Sequence, residues 1–149
     1  MFKKLMVGAA LISSLILTGC ASVPMDSPER DAEMKKFSVP TDDKAGLYIY
    51  RNSFVGKALK KTLSVNGQVI GETANKVYFY KEVVPGEHVI STESEFSDNS
   101  VTFQAEGGKN YFARQYIKMG AFVGGAGVEM VDEATGKKEV SQAKLAKAQ

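Results

Sequence analysis

From Ala45 onward, apolar and polar residues alternate in short runs, each closed by a turn signal, and no helical run separates one from the next. That period of two demands half-buried strands joined by tight connections, and it argues against a parallel sheet built from strand–helix–strand units. Gly46-Leu47-Tyr48-Ile49-Tyr50-Arg51 opens the pattern. Thr62-Leu63-Ser64-Val65 runs into Asn66-Gly67, a strong hairpin signal, and Gln68 to Glu72 returns. Along Val77 to Val83, Val77, Phe79 and Val83 share one side, with Tyr78, Tyr80 and Glu82 opposite. Pro85-Gly86 turns the chain. Further strands are predicted at His88 to Ser94, Val101 to Ala105, Asn110 to Ile117 and Val128 to Val131. The expected fold class is all-β: a small antiparallel β-sandwich or barrel of seven to eight strands, preceded by a signal helix and a flexible tether and followed by a short C-terminal helix.

The N-terminus carries a different message. Lys3 and Lys4 precede an apolar stretch from Leu5 to Leu17, and the chain then reads Leu17-Thr18-Gly19-Cys20. The layout is that of a secretory signal. Its apolar run of about 13 residues falls short of the roughly 20 that a spanning helix needs. The four residues L-T-G-C resemble a lipobox, the signature of bacterial lipoproteins. That resemblance implies cleavage between Gly19 and Cys20, a diacylglycerol thioether on Cys20, and an acyl chain such as palmitate on its amine. Several acyl chains suffice for stable anchoring, and a thiolate suits the lipid transfer. The competing reading is a free cysteine beside a generic signal peptide. Ala21, where Asp would favour retention in the inner membrane, implies the outer membrane with the domain facing the periplasm.

Four stretches are therefore expected: signal peptide at 1–19, lipidated cysteine and tether at 20–44, β-domain at 45–138, and helix at 139–149. Pro24, Pro28 and Pro40 punctuate a polar tether whose role is a spacer lifting the domain off the bilayer. Within it, Met34 and Phe37 are able to lie against the domain, and Pro28 to Lys36 to form a short helix. A partner-binding strip is the lower-ranked reading of the same stretch.

Charge narrows the partners. The chain has 19 basic and 17 acidic residues. Removing Lys3 and Lys4 balances it, which leaves no electrostatic case for nucleic acid. Cys20 is the lone cysteine and His88 the lone histidine, so neither a disulfide nor a zinc set of His and Cys ligands is expected. No metal or cofactor is expected. His88 just after Pro85-Gly86 reads as a solvent-facing or turn-bonded imidazole rather than a catalytic base. The glycines from Gly120 to Gly127 lack the lysine and spacing of a phosphate loop.

The segment from Leu47 to the end resembles the bacterial lipoprotein family with the domain of unknown function DUF2846. The resemblance is carried by Leu47 to Arg51, Val65-Asn66-Gly67 with Gly71, Tyr78-Phe79, Val84-Pro85-Gly86-Glu87-His88, Gly108-Lys109-Asn110-Tyr111, and Val128 to Val131. Pro85-Gly86-x-His88 is also similar to the turn in PEGA and carboxypeptidase-regulatory-like sandwiches. Neither resemblance supplies a catalytic residue or ligand.

The function expected is that of a membrane-anchored envelope lipoprotein, not an enzyme, binding a protein or glycan. The candidate face is Tyr48, Tyr50, Tyr78 and Tyr80 with Arg51, since tyrosine joins an apolar body to a polar tip. Lys57, Lys60 and Lys61 stand beside it. Against it is the reading that these rings close a second layer of the sandwich, favoured for at least one pair. Two alternatives remain. A small anchored hydrolase would use Glu93, Glu95 and Asp98, or His88. An inhibitor-type protective lipoprotein would present a rigid loop, for which Asn52 to Lys61 is the candidate.

Overall fold

Both faces of strand β1 (Ala45–Arg51) are apolar up to its last residue, and all seven of its residues are buried. A strand of that kind belongs in the middle of a three-layer stack. In a computed structural model, which describes residues 22–93, 99–119 and 125–149, β1 occupies that place.

The remaining strands are β2 (Lys61–Val65), β3 (Gln68–Thr73), β4 (Val77–Val83), β5 (Gly86–Thr92), β6 (Asn99–Ala105), β7 (Asn110–Lys118), β8 (Gly125–Val131) and β9 (Lys144–Leu145). They form one sheet in the order β8-β7-β1-β4-β9 and a second in the order β3-β2-β5-β6. The two open sheets pack face to face as a β-sandwich. Inward residues Leu47, Ile49, Phe79 and Ala113 meet Leu63, Val65, Ile90 and Phe103 between the sheets. Asn66 and Gly67 take φ of 51° and 79°, the positive pair that a tight two-residue hairpin requires.

Pairing is mostly antiparallel, with two exceptions to the expected pattern. β1 runs parallel to β7, and β9 runs parallel to β4. The first arises because β7 enters the five-stranded sheet from β6 of the other sheet, not by a hairpin from β1. The second belongs to a strand absent from the sequence-based expectation.

Helix α2 (Glu133–Ser141) begins earlier than the helix expected at 139–149, and the boundary drawn at 138 falls inside it. Asp132 is the reason: its carboxylate accepts the Thr135 N–H at 2.8 Å and caps the first turn. Beyond α2 the chain is extended, because Leu145 and Ala146 bury against β4 rather than continue a polar helix.

The stretch expected as a flexible tether is folded over most of its length. Ser27 caps α1 (Pro28–Met34) with Pro28 in the first turn. The Asp26 N–H donates to Leu145 O at 3.0 Å and the Lys147 N–H to Pro24 O at 2.9 Å, so the N-terminal segment extends the sheet beside β9. Phe37 holds a φ of 53°, a left-handed conformation costing a bulky residue about 1–2 kcal/mol. Its ring packs on Tyr48 and Phe112, at 5.4 and 5.9 Å between centroids, which offsets that strain. Proline and charge concealed this packing in the sequence, although Met34 and Phe37 carried the signal for it.

Gly136 marks where α2 comes down onto the sheet: a Cβ there would collide with the Phe112 ring. In an exposed helix interior, glycine to alanine stabilises by up to about 1 kcal/mol. Gly136→Ala is expected to do the reverse and destabilise by about 1–3 kcal/mol through overpacking. The midpoint of chemical denaturation reads the sign.

Candidate functional site

The outer face of the five-stranded sheet carries Tyr48, Tyr50, Tyr78 and Tyr80, as the alternation requires, but it is not open. Tyr48, Tyr50 and Tyr78 are buried with Phe112, Val140 and Leu145 in a second core. The Tyr48 ring stacks on Phe112 with centroids 5.0 Å apart and meets Tyr80 at 4.7 Å. The Tyr48 hydroxyl donates to Met34 O at 2.9 Å, and the Tyr78 hydroxyl to the Asp31 carboxylate at 2.7 Å. Three of the four tyrosines assigned to a binding face are therefore covered by α1, Phe37 and α2. Only Tyr80 keeps part of its ring accessible, lining a groove of about 530 Å³ with Arg30, Glu33, Val39, Pro40 and Glu82.

Burial pushes the Tyr48 and Tyr78 hydroxyls above the usual tyrosine range, Tyr78 helped by Asp31. Burial, with the Glu139 carboxylate nearby, pushes Tyr50 up to about 12. Unfolded tyrosines ionise near pH 10. These groups therefore contribute stability that is complete below that value and is lost as pH rises through their folded values. An absorbance titration at 295 nm should leave all three protonated at about pH 11 and ionise them only as the fold is lost. If a Tyr→Phe change at any of the three removed a transition near 10, that ring would be open to solvent.

Arg51 lies on the opposite face of β1, following Leu47 and Ile49 at the inward period, and is fully buried. It is not part of an exposed basic loop. Its Nη1 donates to Leu59 O at 2.7 Å and Thr73 O at 3.2 Å, and its Nη2 to Gly56 O at 2.7 Å. Its Nε has no partner. Burial pulls the guanidinium below its ordinary pKa. Beside it on β7, the buried Gln115 amide donates to Thr92 Oγ1 at 2.5 Å and accepts from Thr73 Oγ1, tying the two sheets together at this end.

What Arg51 holds is the connection from Asn52 to Lys60. Two of its three acceptors belong to that loop. The Ser53 N–H donates to Asn75 Oδ1 at 2.9 Å, and Asn52 donates to the Glu139 carboxylate on α2. Gly56, at φ 71°, lies so close to Ile117 that a Cβ would come within 2.8 Å of it. The loop is thus fastened from beneath, and at its tip Phe54 and Val55 stand 78% and 50% exposed. Lys57 Nζ lies 4.9 Å from the Phe54 ring centroid. Met119, 78% exposed, follows the end of β7, the strand whose Ile117 packs on Gly56. Exposed apolar groups on a constrained loop mark an interaction site more strongly than scattered surface residues do. This is the loop singled out from the sequence, but its arginine lies beneath it rather than on the tyrosine face.

His88 is buried and turn-bonded. Asn66 Oδ1 accepts the Val89 N–H at 2.9 Å, which turns its amide NH₂ toward His88 Nδ1 at 2.8 Å. Nδ1 must then accept, so Nε2 carries the proton and donates to Val84 O at 2.6 Å. The imidazole clips the β2–β3 hairpin turn to the connection between β4 and β5. Glu93 follows the far end of β5, five residues and about 17 Å away at strand spacing, and its carboxylate accepts the Thr62 N–H at 2.9 Å. Glu95, Asp98, Gly120 and Gly124 lie outside the described residues, as do Gly19, Cys20 and the whole of 1–19. Among the described residues no three His, Cys, Asp or Glu side chains are grouped to hold a metal, and no helix is long and apolar enough to cross a membrane.

Comparison with known proteins adds a family and a relative. Residues 41–126 match the profile of a family described as a protein of unknown function, DUF2846. The chain is similar to an uncharacterized protein of Haemophilus influenzae (strain ATCC 51907 / DSM 11121 / KW20 / Rd). The two are 51% identical over 145 residues, covering 97% of this chain and 86% of the relative.

Proposed function

The chain belongs to the DUF2846 family, and from that premise we propose that it is a lipid-anchored lipoprotein of the cell envelope whose β-domain binds a partner protein and catalyses no reaction. The observation that carries the binding reading is the Arg51-fastened loop presenting Phe54 and Val55. Such a loop loses little conformational freedom on docking, and its aromatic tip suits an apolar pocket on the partner. Lys57 and Lys118, exposed near that end, favour a pocket with an acidic rim. An inhibitor-type role would use the same geometry, with the loop plugging a cleft. The anchor rests on Leu17-Thr18-Gly19-Cys20, and the outer-membrane, periplasm-facing placement on Ala21. A hydrolase built on His88 is disfavoured because both of its ring nitrogens are committed to backbone and amide partners at the turns.

A photoreactive amino acid at position 54 of the full-length protein in living cells tests this. It should yield a discrete crosslinked envelope protein that disappears with Val55→Asp, while the same group at exposed Thr102 yields none. Identical patterns from the two positions would remove the loop from consideration.

One observation favours a second reading: Tyr80, Arg30, Glu33 and Glu82 share a groove, a mixture suited to a glycan. Retention of the protein on insoluble cell-wall glycan, lost in Tyr80→Ala, would move the site there.

A further inference from the structure

We infer that the β9 edge of the sandwich lies directly on the bilayer, where a cleft flanked by Lys60 and Lys147 receives the headgroups of anionic phospholipids. This rests on the lipid anchor at Cys20 proposed above and adds an orientation and a second membrane contact to it.

Chain length sets how far the domain can stand from its anchor. Folded backbone reaches as far as the segment paired with β9, through Asp26 to Leu145 and Lys147 to Pro24, and Val23 already forms part of a cleft wall. Cys20 precedes Val23 by three residues. Three Cα–Cα steps of 3.8 Å allow about 11 Å at full stretch. The leash that an unfolded stretch as far as Lys44 would provide does not exist, so Val23 stays within headgroup reach of the lipid.

The cleft at that point, of about 280 Å³, has Phe79 and Gly71 at its floor and is flanked by Lys60, Lys147 and Glu72. The ammonium groups of Lys60 and Lys147 stand beside the Glu72 carboxylate and the C-terminal carboxylate of Gln149, at the spot where the chain leaves for its anchor. Lys76 and Lys144 add positive charge along the edge, where the Lys144 N–H donates to Lys76 O at 3.0 Å and the nearby Asp26 and Asp31 carboxylates are paired with Arg30 and Lys35. Lys60, Lys76, Lys144 and Lys147 are exposed. Long lysine stems let the ammonium groups reach phosphates while their methylenes cover apolar surface, and an anionic leaflet attracts each of them. The opposite edge of the sandwich, formed by β6 and β8, has no such tie to the anchor.

The test uses the full-length lipidated protein in vesicles of phosphatidylethanolamine and phosphatidylglycerol. Cys20 is the lone cysteine and its sulfur is lipid-blocked, so Lys147→Cys or Thr102→Cys each supplies one thiol for a fluorophore. Nitroxide-headgroup lipid should quench the label at 147 at least about threefold more than that at 102, the two edges facing opposite ways. A twelve-residue Gly-Ser spacer inserted after Ala21 should preserve that difference on the anionic vesicles and lose it on phosphatidylcholine alone. Lys60→Glu in the spacer protein should lose it on both. Equal quenching at 147 and 102 in vesicle-bound protein would overturn the docked orientation while leaving the anchor intact. A difference abolished by the spacer even on anionic vesicles would overturn headgroup binding. Failure of the protein to float with vesicles would overturn the anchor, and this inference with it.

Discussion

Arg51→Met is expected to lower the unfolding free energy by about 3 kcal/mol and to release the loop from Asn52 to Lys60. Two effects compete. Removing a buried cation relieves its desolvation, and methionine fills much of the arginine stem, so such replacements are sometimes neutral. Here the partners are not a carboxylate that a second substitution could remove. They are backbone carbonyls of Gly56, Leu59 and Thr73, the last of them buried and the other two partly so, and a buried carbonyl left unpaired costs about 1–3 kcal/mol. The orphaned carbonyls outweigh the relief. Arg51→Lys should fall between, because one ammonium cannot span three acceptors from a single site. Denaturant unfolding gives the stability, and amide hydrogen exchange at Phe54 to Lys57 reports the loop. A methionine variant with unchanged exchange there would mean that the loop holds itself.

Asp31→Ala is expected to cost about 3 kcal/mol and to detach the N-terminal segment. The Asp31 carboxylate accepts the Tyr78 hydroxyl at 2.7 Å, Lys35 Nζ at 2.9 Å and the Leu145 N–H at 3.1 Å. It therefore joins α1 to β4 and β9. Partial burial works to raise its pKa, but the Tyr78 and Lys35 hydrogen bonds, the Lys35 charge and the Leu145 N–H together hold it below the usual carboxylate value. A depressed folded pKa contributes stability that is complete above the unfolded value near 3.9 and is lost as pH falls through the folded value. The wild type should thus loosen its N-terminal segment only in strong acid, whereas Asp31→Asn should show less of that acid dependence. Protease cleavage after Arg30 and Lys36, measured against pH, follows the segment. Cleavage of Asp31→Ala at the wild-type rate at neutral pH would show that the segment is held by something else.

The strands were legible because their period is short and their turns explicit. Asn66-Gly67 closes the β2–β3 hairpin and Pro85-Gly86 turns the chain from β4 to β5 at the expected places, and β4 spans Val77–Val83 as its alternation predicts. The second core was less visible. Tyrosines at 48, 50, 78 and 80 fit a wet face as well as a covered one, and what decides is a cover contributed by α1, Phe37 and α2 from distant parts of the chain. The N-terminal cover reads as polar, because few of the groups it turns inward are apolar: Met34 and Phe37 go in with the Asp31 carboxylate and the Lys35 ammonium. Arg51 shows the same limit from the other side. Its type suggested solvent, whereas its position two residues after Ile49 placed it between the sheets. Strand β9 is two residues long and its parallel partner lies far away in sequence, so no local pattern announces it.

Everything proposed for this fold at a membrane depends on its being held there through Cys20. The intact mass of the protein extracted from the membranes of cells expressing the whole precursor tests that most directly. The expected species is a chain beginning at Cys20 and heavier than its sequence by a diacylglyceryl group and a further acyl chain. A chain that begins at any other residue, or an unmodified Cys20, would contradict it.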